Sequence, residues 1–138
     1  MYEYKCTVLR ILDGDTLDVD VDLGFSVALK KQRIRMYGID TPESRTRDKE
    51  EKVRGLLSKE FLKQFCPVGS DIRLVSHGKG KYGRILGEIF TIYGEVSVNQ
   101  HMCDEGYAVQ YSGGSKEELK EKHLANKEKL IAKGILSV

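Results

Sequence analysis

Alternation between apolar and polar residues in the first part of the chain constrains the fold more than any other feature. Residues 4–8 alternate in this way, and residues 17–23 do so again after the turn signal Asp13-Gly14. Because successive side chains on a strand point to opposite faces, the two segments predict a β-hairpin with one buried face. A second turn near Gly24 leads to a third strand over residues 25–37.

The segment after the third strand predicts a helix. Thr41 is suited to the N-cap and Pro42 to the first helical position, and Pro67 with Gly69 ends the helix. The basic residues 44–47 leave a later start of the main helix open. One apolar face is expected to pack on the sheet through Val53, Leu56, Leu57, Phe61 and Phe65.

Further strands and helices complete the predicted fold. Ile72 and Leu74 indicate a fourth strand, residues 84–93 a fifth, and residues 99–106 a short helix. A closing amphipathic helix presents Leu119, His123, Leu124, Leu130 and Ile131. We therefore expect an α+β fold in one domain spanning residues 1–138. Its architecture is a five-stranded OB-fold-like antiparallel β-barrel with about three packed α-helices.

Composition narrows the class of protein. The chain has 138 residues, of which 40% are hydrophobic and 32% charged, as is typical of a folded domain. A net charge of +2 is small for a general polyanion binder, so any nucleic-acid site must be local. The three cysteines lack CxxC spacing and are expected to be reduced thiols. No membrane-length apolar run and no leader are visible, so we expect no membrane partner. This chain is expected to be cytoplasmic, but its compartment stays open, since a leader could have been lost.

Acidic residues in two turns are candidates for a metal site. Asp13, Asp15 and Asp40 carry the carboxylate oxygens that Ca²⁺ prefers. A structural interpretation stays open, because Asp-Gly often forms hairpin turns and an acidic residue stabilises a helix start. Neither structural role requires Arg35, whose strand directs it toward the same end as the carboxylates.

A basic loop and three histidines are the remaining candidates for functional residues. Lys81-Tyr82-Gly83-Arg84 is either a simple basic turn or a phosphate clamp, since it places a guanidinium and a phenol on a flexible loop. His77, His101 and His123 belong to no metal-binding spacing and are expected to have structural or surface roles.

The joint pattern of these motifs resembles the staphylococcal nuclease (thermonuclease) family. The matching blocks are Asp13-Gly14-Asp15-Thr16, Arg35 with Asp40-Thr41-Pro42-Glu43, and Lys81-Tyr82-Gly83-Arg84. Val98-Asn99 and Glu105-Gly106-Tyr107-Ala108 extend the resemblance over roughly residues 5–133. Gly80 departs from the pattern, because the family often has an acidic residue there.

The resemblance implies a calcium-dependent phosphodiesterase that hydrolyses DNA and RNA to products with 3′-phosphate ends. Asp15 and Asp40 would give carboxylate ligands to Ca²⁺, and Thr41 would give its backbone carbonyl. Asp13 would support the metal without contacting it.

The same resemblance assigns the catalytic residues, which are Arg35, Glu43 and Arg84. Glu43 would orient or deprotonate the attacking water, and the two arginines would bind the scissile phosphate. Tyr82 and Lys81 would contact the substrate, Tyr82 through a terminal phosphate.

The alternative is a non-catalytic OB-fold module that binds nucleic acid or a protein. A degenerate relative is expected to lose Arg35, Glu43 or Arg84, yet all three are present. Stacking on single strands also needs aromatic side chains, and the chain has no Trp. The sequence therefore favours a nuclease acting on DNA and RNA, with single-stranded or frayed substrates expected to be preferred. A monomer is the default expectation, since the sequence does not reveal the oligomeric state.

Overall fold

Five long strands close into a barrel and three helices pack around it in the computed structural model, which describes residues 2–137. The strands are β1 (Glu3–Asp13), β2 (Thr16–Gly24), β3 (Val27–Met36), β4 (Ile39–Asp40), β5 (Asp71–Lys79), β6 (Ile85–Thr91) and β7 (Val109–Gln110). The helices are α1 (Lys49–Phe65), α2 (Val98–Asp104) and α3 (Lys116–Ala132), and a short 3-10 helix spans Lys81–Gly83. The predicted five-stranded α+β barrel is confirmed.

The strands follow the order β1-β2-β3-β6-β5 around the barrel, and β5 pairs with β1 to close it. The predicted antiparallel pairing holds along every seam except that between β3 and β6, which is parallel. A parallel pair needs a long crossover connection, and here α1 and β5 lie between the two strands in the chain. The short strands β4 and β7 pair outside the barrel.

The parallel seam is short, and a buried amide reinforces it. Its residue pairs are Ile34 with Ile85, Arg35 with Leu86, and Met36 with Gly87. Asn99 on α2 is 4% exposed, and its Oδ1 accepts from the Ile89 backbone N–H at 3.0 Å. Its Nδ2 donates to the carbonyls of Tyr37 at 2.8 Å and Gly87 at 3.3 Å. One side chain therefore satisfies backbone groups of both strands where their pairing ends.

The alternating pattern of the first three strands places the barrel core as predicted. Leu17, Val19, Val21, Ile34 and Met36 are buried, while Arg33 and Arg35 lie on the opposite face of β3. Cys6 and Cys66 are buried free thiols, and burial raises the pKa of each to about 12. Among residues 2–137, no helix is both long and apolar enough to cross a membrane.

Helix α1 begins after residues 44–47, the later start that the sequence left open, and it buries only part of the predicted face. Phe61 and Phe65 pack against the core as expected. Asp48 is the N-cap, and its side chain accepts from the backbone N–H groups of Glu50 and Glu51, so the prediction of Thr41 as N-cap is wrong. Gly55, Ser58 and Leu62 are buried, whereas Val53 and Leu56 are about half exposed. The small residues let the helix approach its neighbours closely, and that approach decides which face is buried.

The turn between β2 and β3 also differs from expectation. Phe25 was predicted to begin the third strand, but it lies in the turn with Ser26, fully exposed, and both residues have positive φ. Positive φ at both central positions is the backbone of a type I′ turn, whose twist matches the flanking strands. Phe25 therefore forms part of the turn and does not contribute to the core.

Two leucine substitutions on α1 should show, through their effects on the free energy of unfolding, which face of the helix is buried. Leu62 is fully buried, so Leu62→Ala should lower the free energy of unfolding by about 2–5 kcal/mol. Leu56 is 46% exposed, and Leu56→Ala should cost less than about 1 kcal/mol. Urea denaturation of both variants tests this, and equal losses would contradict the assigned face.

Candidate active site

An arginine joins two carboxylates at one end of the barrel. Arg35 on β3 points between Asp15, in the turn between β1 and β2, and Asp40 on β4. Its Nη1 lies 3.3 Å from Asp15 Oδ2, and its Nη2 lies 3.3 Å from Asp40 Oδ1. The structure thus brings together three of the predicted site residues from separate segments of the chain.

The surrounding backbone holds these side chains in place. Arg35 Nη1 also donates to the carbonyls of Met36 and Ile39, at 3.1 and 3.0 Å. The Asp15 carboxylate accepts from the Thr16 hydroxyl at 2.9 Å and from the Thr41 backbone N–H at 3.2 Å. The Asp15 side chain is 11% exposed and that of Arg35 is 18% exposed, so the ion pair is shielded more than a surface pair.

Two glycines let the loops of the site reach α1. A Cβ at Gly55 would lie 2.4 Å from the Glu43 carbonyl oxygen, and a Cβ at Gly14 would lie 2.7 Å from the Ser58 Cβ. Gly14 lies in the β1–β2 turn as predicted, but its φ is not positive, and close packing is what requires glycine there. The loop that carries Glu43 therefore rests directly on the helix.

The electrostatic environment of Glu43 is dominated by other acids. Burial raises its pKa above the ordinary value, and repulsion from Asp13, Asp15 and Asp40 adds to this effect, with a further contribution from Glu51. Glu43 is therefore close enough to the predicted metal ligands to interact with their charges, although its side chain remains exposed.

Asp13 is held near these carboxylates by Ser44 and Arg45, the two residues that follow Glu43 in the chain. Its Oδ1 accepts from the Ser44 hydroxyl, and its Oδ2 lies 3.7 Å from Arg45 Nη2. These contacts pin the β1–β2 turn to the loop between β4 and α1. Asp13 contributes negative charge to the site while its own oxygens are engaged elsewhere.

A cleft of about 1050 Å³ extends from this end of the barrel toward the basic loop. Arg35 and Asp40 line one part of it, and Lys81 and Arg84 line another, so these four predicted residues share one open space. Tyr82 is not among the lining residues. It is 93% exposed, and the Arg84 guanidinium lies 5.9 Å from the centre of its ring.

The backbone conformation and packing of the basic loop limit which residues can occupy its positions. Tyr82 adopts φ 61° and ψ 25°, a left-handed conformation that is uncommon for a residue with a Cβ. Gly80 donates its N–H to the Arg84 carbonyl at 2.7 Å, and a Cβ at this position would lie 3.1 Å from the Leu86 side chain. A larger residue at position 80 would therefore require Leu86 to move.

The donor chemistry of the site suits a hard cation. Within residues 2–137, no three His, Cys, Asp or Glu side chains are grouped closely enough to form a preassembled metal site. However, Asp15 and Asp40 both contact the partly buried guanidinium of Arg35. Asp13, Asp15 and Asp40 also lie close enough to Glu43 for their repulsion to add to the effect of burial on its pKa. Oxygen donors with excess negative charge fit Ca²⁺, which Asp15, Asp40 and the Thr41 carbonyl would hold.

One residue at this site was missed by the sequence interpretation. His123 was expected to have a structural or surface role, but its Nε2 lies 2.8 Å from Asp40 Oδ2. The two residues are 83 positions apart, and no local motif connects them. The one available signal was the position of His123 within the apolar arc of α3, which directs it toward the barrel.

A comparison with models of known protein families finds a match. The family model described as Staphylococcal nuclease homologue matches residues 33–134, which is more than half of the chain. The segment with Asp13 and Asp15 lies before this match.

Individual relatives carry related names. The chain is 33% identical over 116 residues to "Endonuclease YhcR" of Bacillus subtilis, which covers 79% of this chain and 9% of that protein. It is 34% identical over 104 residues to an "Uncharacterized endonuclease" of Escherichia coli, with 75% and 59% covered. It is 32% identical over 108 residues to "Thermonuclease" of Staphylococcus hyicus, with 77% and 59% covered. The chain thus spans less than two thirds of the length of these relatives.

The raised pKa of Glu43 leads to a prediction about stability. Because its pKa is higher in the folded chain than in the unfolded chain, ionising Glu43 opposes folding, and this penalty grows as pH rises through the shifted pKa. In the presence of a chelator, Glu43→Gln should therefore raise the free energy of unfolding at about pH 7. The gain should vanish at about pH 3, where Glu43 is protonated in both states.

Urea denaturation at both pH values measures this effect. Glu60→Gln, on an exposed position of α1, is the matched control and should leave the free energy of unfolding almost unchanged at either pH. A glutamine variant at position 43 that is less stable than the wild type near neutral pH would show that neither burial nor carboxylate repulsion penalises the ionised Glu43.

Proposed function

Because the chain belongs to the family of staphylococcal nuclease homologues, we propose that it is a calcium-dependent nuclease acting on DNA and RNA. The observation that carries the proposal is the Arg35 guanidinium held between Asp15 and Asp40 at the mouth of a cleft that Arg84 also lines. Carboxylates for a cation and guanidiniums for a phosphate thus occur side by side. The names of the endonuclease and thermonuclease relatives support the same activity.

In the proposed reaction, the two arginines bind the scissile phosphodiester. Negative charge builds up on the phosphoryl oxygens as the attacking oxygen approaches phosphorus, and fixed guanidiniums stabilise that charge more than they stabilise the ground state. Arg35 is preorganised by its carbonyl and carboxylate contacts. Arg84 lies on the other part of the cleft, where it would reach the leaving oxygen.

Glu43 is proposed to act on the attacking water. Burial and, to a smaller extent, the neighbouring carboxylates raise its pKa, which makes it a better proton acceptor than an isolated glutamate. The water oxygen bonds to phosphorus, the bond from phosphorus to the 5′ oxygen breaks, and that oxygen takes up a proton. Products would therefore carry a 3′-phosphate and a 5′-hydroxyl.

A calcium ion held by Asp15, Asp40 and the Thr41 carbonyl would supply Lewis-acid stabilisation of the phosphate. Asp13 would add negative charge that favours cation binding without acting as a ligand. Lys81 lines the cleft and would contact the substrate backbone. Tyr82 is proposed to meet the substrate from its exposed position beside Arg84.

A cleavage assay tests the proposed activity. The purified chain should degrade single-stranded DNA and RNA in the presence of calcium, and the activity should disappear on addition of a chelator. Phosphatase treatment of the fragments should remove one phosphate from their 3′ ends. Cleavage that persists in chelator would overturn the calcium requirement. Binding without cleavage of either substrate would favour the non-catalytic OB-fold module.

The guanidinium assignment is tested by three conservative substitutions. Arg35→Lys and Arg84→Lys keep the charge but lose the planar fork that reaches two phosphate oxygens, so each should lower kcat by about 100-fold. Arg33→Lys is the matched control on the same strand, because Arg33 pairs with Asp18 on the barrel surface at 2.9 Å. Its activity should stay within about twofold of wild type. Similar losses in all three variants would contradict the assignment.

A further inference from the structure

The contact between His123 and Asp40 joins the last helix to the predicted metal site. The Nε2 and Oδ2 atoms are 2.8 Å apart, and the side chains are 13% and 27% exposed. An ionised carboxylate accepts hydrogen bonds but cannot donate them, so Nε2 must carry a hydrogen and donate it to Asp40. The bond is therefore directional, and it is largely shielded from water.

Both ends of this hydrogen bond are anchored by other elements. Arg54 on α1 donates from Nη1 to the His123 carbonyl at 3.4 Å, and Asn126 donates from Nδ2 to the Ala108 carbonyl at 2.9 Å. Asp40 is paired through its backbone with Val109 on β7. Helix α3 is thus fixed against α1 and against the strand that supports Asp40.

The two oxygens of Asp40 consequently have different partners. Oδ1 lies 3.3 Å from Arg35 Nη2, and Oδ2 lies 2.8 Å from His123 Nε2. A carboxylate held at both oxygens has a defined plane, whereas a carboxylate without these partners would rotate about its side-chain bonds. Fixing that plane before a cation arrives removes an entropic cost from binding.

We propose that His123 is a positioning residue for Asp40 and thereby sets the affinity of the site for calcium. This inference rests on the proposed calcium-dependent function. Hydrogen bonds from neighbouring residues orient carboxylate ligands, and losing one typically weakens metal binding by about 10–100-fold. His123 acts through Asp40 and need not contact the cation or the nucleic acid.

Calorimetric titration of the nucleic-acid-free chain with calcium chloride tests the proposal. His123→Leu should weaken calcium binding by about tenfold or more, because leucine fills the space without donating a hydrogen bond. His123→Gln should recover most of the affinity, since its amide can donate from a similar position. Ala125→Leu is the matched control, because it places a leucine on an exposed position of the same helix, and it should bind as the wild type does.

The outcomes separate the positioning role from a structural one. Thermal unfolding in chelator first establishes that each variant is folded, and His123→Ala replaces His123→Leu if the latter does not fold. Wild-type affinity in the leucine or alanine variant would overturn the proposal, and so would equal losses in that variant and His123→Gln. A wild-type chain that binds no calcium would refute the metal assignment and this inference with it. Calcium binding without nuclease activity would refute the proposed function alone.

Discussion

The seam between β3 and β6 is the constraint on which the rest of the structure depends. It is the parallel seam of the barrel and contains three residue pairs, so its backbone pairing is limited. Asn99 compensates by bonding to Tyr37, Gly87 and Ile89 from a buried position. Arg35 lies within this seam, so the pairing of β3 with β6 also sets the position of the guanidinium at the site.

Charge compensation explains why several carboxylates can lie close together at this end of the barrel. The guanidinium of Arg35 compensates Asp15 and Asp40 directly, while Glu43 bears the remaining repulsion as a raised pKa. In the proposed reaction a divalent cation would take over part of this compensation. The Arg35 N–H groups that face the carboxylates would then be available to phosphate, while Nη1 keeps its hydrogen bonds to the carbonyls of Met36 and Ile39. One residue would thus stabilise the folded chain and also serve the substrate.

Sequence patterns predicted the parts of the fold that depend on local chemistry. The period-two alternation placed β1, β2 and β3, and it put Arg33 and Arg35 on one face because strand geometry leaves no alternative. The same sequence patterns did not predict where elements pack closely against each other. The buried face of α1 is set by Gly55 and Ser58, which allow neighbours to approach, and hydrophobicity does not report that property. The contact of His123 with Asp40 depends on tertiary structure alone.

The anchoring of Asp40 by β7 and α3 has a consequence for the order in which the site matures. Both elements follow the barrel strands in the chain, so they leave the ribosome after the barrel has been synthesised. A nascent chain of this kind would hold the arginine and the carboxylates near one another, but Asp40 would lack its strand partner and its histidine. For the proposed nuclease, complete anchoring of Asp40 therefore requires that the segment from β7 to the end of α3 has been synthesised and has folded.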